Sequence, residues 1–399
     1  MQDLMSASII TNLHARTEGN AQLLTLAVDA FNRTSAPLRL ITRMFEDDNI
    51  ERFLVQEVDD NLTEDERAVM SAVAVLLGHD GTRDAIEAIL DGQNVRRTLS
   101  SLSQRHLLNV SVGKAGRTYN MNAIVRQFYY DLASKQERQA MHHRAGKYYE
   151  TEEPDTLKAA RHWECAGEHD RAIQLATDNV QAIINQGQAR TLRLLLKRFT
   201  PQQTDPEQWA KVNLALGRTY ALLGDGKAAL ASYQATLSNL AEIHDSSKAR
   251  TLKVSACRWL AELYNQHGEY PLALAQVQEG LDALGEQEST EAAELMLIAA
   301  DVYLRQGDYE SALVQGENGL RLVQKHEQTT ILAQAHNVLG LVNRRREAND
   351  AAIEHYQQSL KLYQQAGDML GTAKTYNLIG SAYLFQSQWS EAEHHYRQA

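Results

Sequence analysis

Three groups of residues carry enough chemistry to suggest a site. His142 and His143 are adjacent, and His162, Cys165 and His169 follow at intervals of three and four. Imidazole and thiolate at such spacing could hold zinc, which takes nitrogen and sulfur ligands tetrahedrally. Neighbours on a helix, however, point about 100° apart and cannot both face one ion. The second trio straddles Gly167, where a helix should end, and has no fourth ligand nearby. No metal site is expected. Arg96, Arg97 and Arg105 could instead grip the phosphates of DNA, yet residues 62–146 hold 11 Lys and Arg against 9 Asp and Glu, a balance of +2. Duplex-reading segments usually sit in a more positive field, so DNA contact is not expected. Gly-x-x-x-x-Gly-Lys-[Ser/Thr] occurs nowhere, and no nucleophile stands with a base. No catalytic residue is assigned, and the chain is read as a non-enzyme.

The elements that would position these residues are mostly helical. The 399 residues include five Pro and 43% hydrophobic residues, with only one short extended segment. A net charge of −11 suits a soluble surface and not a general nucleic-acid coat. Cys165 and Cys257 lie too far apart, and are too few, for a secreted disulfide framework. With no signal-like N-terminus and no uncharged apolar run near 20 residues, the expectation is a cytoplasmic protein without membrane contact.

In chain order, residues 7–17 and 21–33 read as two helices broken at Gly19-Asn20, and Pro37 opens one helical stretch through Phe45 to Val58. Thr63 with Glu66 forms a capping box that starts the next helix. Thr82 caps a second helix, and Val95, Leu99 and Leu102 line a third ending near Gln104. His106 to Val112 and Arg117 to Met121 then read as strands joined by Gly113-Lys114-Ala115-Gly116. Helix, helix, helix, hairpin is the order of a winged helix-turn-helix. Two helices over 124–150 follow it. Ala160, Trp163, Gly167, Ala172 and Ala176 form a divergent hairpin, and another covers 187–199.

From Ala210 onward a pattern recurs. Windows opening at Ala210, Val254, Ala293, Ala333 and Ala373 place Gly217, Ala261, Ala300, Gly340 and Gly380 at the eighth position. The eleventh position holds Tyr in four windows and the twentieth holds Ala in all five. Gly224, Gly268 and Gly307 fall at the fifteenth, where a helix C-cap wants a left-handed residue, while Glu347 and Ser387 stand there in the last two windows. This spacing resembles the tetratricopeptide repeat, in which small residues let two helices approach and Tyr fills the gap to the next repeat. The resemblance implies an α-solenoid whose first helices turn their fifth, ninth, twelfth and thirteenth positions to a concave face. Those places give Arg258, Asn265, Asp301, Arg305, Asn337, Arg344, Arg345, Asn377 and Ser381 as a groove for a protein, a peptide or a small effector.

The order of parts is similar to that of the STAND class of signal-transduction ATPases, of the NB-ARC, maltose-regulator and LuxR-like kind. Thr17 to Leu24 looks like the end of that family's nucleotide-binding core, and Tyr119 to Arg126 like the Met-His-Asp segment of its winged helix. The resemblance implies nucleotide-adjacent roles for Gly19, Asn20, Ala21 and Asn122. Asn122 stands where the family has a phosphate-contacting His, and Ala21 where it has Pro. Without a phosphate loop no cofactor is expected in this chain, although ADP or ATP is implied for a parent protein.

The resulting expectation is a mostly all-α chain: a helical remnant of a nucleotide-binding module over 1–61, a winged-helix domain over 62–150, divergent repeats over 151–209 and a tetratricopeptide array over 210–399. The repeat stopping at its twenty-seventh place suggests a fragment of a larger regulator, acting as its sensor segment. The alternatives are a repeat scaffold without a nucleotide switch and a winged-helix transcription regulator.

Overall fold

The computed structural model describes residues 7–18, 20–34, 36–47, 49–113, 116–285, 287–326 and 328–399. The chain is all-α apart from one small three-stranded sheet, and it divides into two compact units, Met1–Asn179 and Val180–Ala399.

The first unit comprises α1 (Ala7–Arg16), α2 (Ala21–Arg33), α3 (Pro37–Glu46), α4 (Ile50–Asp59), α5 (Glu64–Val75), β1 (Gly81–Thr82), α6 (Arg83–Ile89), α7 (Arg96–Gln104), β2 (Asn109–Gly113), β3 (Gly116–Asn120), α8 (Ala123–Leu132), α9 (Lys135–Thr151), α10 (Thr156–Ala166) and α11 (His169–Asp178). The single helix expected from Pro37 to Val58 is two. Asp47 takes an extended backbone, and the Asn49 side chain accepts from Arg52 N to start α4 afresh. The Thr63–Glu66 capping box forms in both directions. The expected hairpin gains a third strand, because Gly81 and Thr82 pair antiparallel with Tyr119 and Thr118, giving the order β1-β3-β2. A two-residue strand leaves no alternation to read, and Thr82 also caps α6.

The second unit comprises α12 (Val180–Asn185), α13 (Ala189–Leu196), α14 (Pro206–Leu222), α15 (Gly226–Asn239), α16 (Ser246–Gln266), α17 (Tyr270–Leu284), α18 (Thr290–Gln306), α19 (Tyr309–His326), α20 (Thr329–Arg345), α21 (Asn349–Ala366), α22 (Met369–Phe385) and α23 (Trp389–Gln398). From α14 onward these pair into five hairpins. Their packing rule is a trade of volume between the eighth and twenty-fourth positions. A Cβ on Gly217 would meet the Tyr233 ring at 2.2 Å, one on Gly340 the Tyr356 ring at 2.4 Å, and one on Gly380 the Tyr396 ring at 2.9 Å. Where the eighth position is Ala261 or Ala300, the twenty-fourth shrinks to Val277 or Gly316. Tyr therefore fills its own hairpin as well as the gap to the next one, where Tyr233 meets Leu260 and Leu263, and Tyr356 meets Ile379 and Ala382. The hairpin turns take the left-handed conformation throughout. Gly224, Gly268 and Gly307 adopt it freely, whereas Glu347 (φ 64°) and Ser387 (φ 60°) hold it against side-chain sterics.

Candidate functional site

The arginines of the first unit divide by environment. Arg105, weighed with Arg96 and Arg97 as a phosphate contact, is buried: its Nε and Nη2 donate to the two carboxylate oxygens of Asp29 at 2.9 and 2.7 Å. Its Nη1 lies 3.4 Å from Glu66 Oε2, and Ser101 Oγ donates to the other Glu66 oxygen. Charge-assisted pairing of this kind offsets the desolvation of all three groups. Arg96 and Arg97 remain exposed at the start of α7, and Arg96 lines a cleft with Arg83 and Arg117.

Of the residues named for a nucleotide, Gly19 lies outside the described residues. Asn20 stands just before α2, with Oδ1 3.4 Å from Leu23 N, and Ala21 is exposed in the first turn. Asn122 is the N-cap of α8, its Oδ1 accepting from Val125 N at 2.9 Å. That cap is a sufficient structural reason for an amide at position 122.

The histidines come together differently from any spacing on one helix. His142 on α9 and His162 on α10 are both buried with their Nδ1 atoms 2.9 Å apart, while Tyr130 OH meets His142 Nε2 at 3.0 Å. Burial, with His142 close by, holds His162 well below the ordinary imidazole range. His143 packs edge-on to Trp163 instead. A second pair, His336 on α20 and His355 on α21, repeats the arrangement at 3.0 Å. Burial, with His355 adjacent, pushes His336 down to about 4. Among the described residues no group of three or more His, Cys, Asp or Glu is placed to hold a metal.

The residues read for the groove fall on the first helices of successive hairpins, but they divide into fasteners and open positions. Asn265 is buried and donates through Nδ2 to Asp301 Oδ2 at 2.6 Å, and Arg305 Nε donates to the same oxygen at 2.8 Å. Asn337 Nδ2 donates to the buried Thr375 Oγ1 at 2.9 Å. These amides join α16 to α18 and α20 to α22, so part of their chemistry holds neighbouring hairpins in register. Arg258 pairs with Glu294 at 2.9 Å and Arg344 lies over the Phe385 ring. Ser381 Oγ meets Asn377 O and Tyr396 OH. Arg345 and Asn377 are exposed.

Two residues at the same repeat positions escaped the sequence reading. Arg218 is at the ninth place of its window and Glu262 at the ninth of the next, so the spacing rule already contained them. Together with Trp259, Leu263 and Lys374 they line a cavity of about 450 Å³ whose walls run from α12 to α22. Arg218 donates to Gln181 Oε1 at 2.5 Å, yet its buried Nε has no partner. Among the described residues no carboxylate comes within ion-pair distance of it. The guanidiniums of Arg218 and Arg258 both rest on the Trp259 indole, at 4.5 and 4.6 Å from the ring centre. Burial lowers the Arg218 pKa, with Arg258 adding to the effect. Burial raises that of Glu262, with Arg258 and Arg218 opposing.

A family model for the tetratricopeptide repeat matches residues 331–399, the last two hairpins with the turns of positive-φ Glu347 and Ser387. No curated protein matches the chain by sequence. Among solved structures, the chain is similar to a STAND protein with a tetratricopeptide repeat sensor from Pyrococcus horikoshii, at 16% identity and a TM-score of 0.44. That alignment covers 96% of this chain and 61% of the other, so the chain spans less than two thirds of that protein's length. It is also similar to a Rap protein complexed with competence and sporulation factor, at 12% identity over 66% of this chain and 70% of the other, TM-score 0.47. A third is BtubC from P. vanneervenii, at 20% identity over 57% and 87%, TM-score 0.41. No helix among the described residues is long and apolar enough to cross a membrane.

Proposed function

We propose that this chain works by binding and not by catalysis, and that its repeat unit is the sensor of a STAND-type signalling protein. In this reading a protein or peptide lies along the first helices of the hairpins, and residues 62–150 act as a winged helix that relays occupancy to an ATPase core. The observation that carries it is the row of charged and amide side chains along those helices, ending in exposed Arg345 and Asn377. Guanidinium groups grip carboxylates, and amides pair with an extended backbone. The alternative of a plain scaffold shares the groove but not the relay. A DNA-reading role is less well supported, because Arg105 is committed to Asp29 and Glu66.

The test is fluorescence anisotropy with labelled decapeptides of varied sequence, followed by the same titration on Arg305→Glu, Arg345→Glu and Asn377→Ala combined. Binding of a subset of peptides, lost in the triple variant, supports the groove. Peptide binding that survives all three substitutions, or no binding by any peptide, overturns it. A steep decline of DNA affinity with salt would favour the transcription-regulator alternative.

A further inference from the structure

The cavity at the start of the array holds three charged groups that do not satisfy one another. Arg218 has a carboxamide for its partner and a buried Nε with none. Glu262, half-buried on the facing helix, has no cation within 4 Å among the described residues. Arg218 lies beyond that distance from it although the two feel each other electrostatically. Lys374 arrives from α22, exposed at the cavity mouth. Tyr233 adds a hydroxyl that is fully buried and without a partner, close enough to Arg218 to act on its charge.

Opposite charges this near usually collapse onto each other, as Arg105 and Asp29 do. Here the frame holds them apart. Arg218 is fixed by Gln181 and by the face of Trp259, and Arg258, a further cation acting on Glu262 beside Arg218 and Lys374, is drawn off by Glu294 at 2.9 Å. Partly desolvated charges without partners are costly, and a ligand bearing the complementary pair recovers that cost. Ile184, Leu222, Leu263 and the Trp259 ring give the cavity an apolar part of its lining. A volume of about 450 Å³ lies within the range of small-molecule sites, which run from about 300 to 1,000 Å³.

We propose that this cavity is a receptor for a small zwitterion of the amino-acid or dipeptide class. The ligand carboxylate lies between Arg218 and Lys374, its ammonium faces Glu262, and an apolar side chain rests on Trp259 and Leu263. This inference goes beyond the partner groove and stands if no protein binds there.

The experiment is isothermal titration calorimetry of the full chain with the twenty L-amino acids and a set of Gly-X dipeptides, repeated with N-acetylated and C-amidated forms of any that bind. The expected result is binding by a subset with apolar or aromatic side chains, weakened about tenfold or more by blocking either end. Arg218→Gln and Glu262→Gln should each lose comparable affinity. Lys374→Met, at an exposed position where the expected cost to stability is within about 0.5 kcal/mol, should lose several-fold. No binding across the panel overturns the proposal. So does equal binding of the N-acetylated form, which would mark a simple anion site, or affinity unchanged in Lys374→Met and Glu262→Gln. If Arg218→Gln fails to fold, the Lys374 and Glu262 variants decide.

Discussion

Arg105 and Arg218 are the same residue in two kinds of interior. Arg105 is buried to 5% side-chain exposure and surrounded by acceptors, with both oxygens of Asp29 and one of Glu66 arranged around its guanidinium. Arg218, half-buried, has one amide oxygen, an aromatic face and a buried, idle Nε. The first arrangement is complete, so adding anything would break it. The second is incomplete, and what it lacks is an anion. Charge saturation, together with the deeper burial of Arg105, separates the two.

The sharpest way to break this contrast is to remove the partners. Asp29→Ala leaves Arg105 buried with only the 3.4 Å contact to Glu66. The expected cost is about 3 kcal/mol or more, read as a shift of the urea midpoint. A loss below about 1 kcal/mol would mean that water replaces Asp29 and that the site is not saturated in the sense argued. Next in size is Gly217→Ala, which tests the core of the same hairpin that carries Arg218. With its Cβ 2.2 Å from the Tyr233 ring, the substitution should cost about 1–3 kcal/mol. Because Tyr233 lines the cavity, it should also disturb zwitterion affinity.

A smaller effect comes from acid. His79, with burial first and Arg161 second among the causes, is lowered to about 4, as is His336. A depressed folded pKa means that the unfolded chain takes up protons first. The associated stability is present above about pH 6.5 and is lost as pH falls toward 4. For the half-buried His336 the loss should be about 1 kcal/mol after solvent screening, and His336→Leu should flatten that part of the pH profile. The smallest effect sharpens the contrast most. Arg218→Met removes a cation with no carboxylate in ion-pair contact, and Glu262 keeps Arg258 and Lys374 acting on it, so stability should stay within about 0.5 kcal/mol of the parent. Destabilisation on the scale of Asp29→Ala would erase the distinction between the two arginines.

Local chemistry was readable, and long-range pairing was not. The Thr63–Glu66 box and the left-handed Gly224, Gly268 and Gly307 follow from residues within four places of one another, and they stand as expected. The repeat pitch was readable because small and aromatic residues must alternate wherever two helices touch. The volume trade between positions eight and twenty-four needed the structure, since it joins different helices. Arg105 and Asp29 are 76 residues apart, and His142 and His162 sit on separate helices, so no periodicity links them. Asn265 and Asn337 were rightly placed on the first helices, but their role as fasteners depends on which atoms the next hairpin presents. Arg218 and Glu262 were within reach of the spacing rule, and only the cavity shows why they matter.

Lys374 has one further implication. Tandem hairpins communicate mainly with their immediate neighbours, so a disturbance at one end should fade along the stack. Lys374 belongs to the fifth hairpin and Arg218 to the first, yet both border one cavity. A molecule held by both would act as a strut across the curl of the solenoid, making hairpins one and five direct neighbours. Occupancy would then be felt as the stiffness of the whole coil.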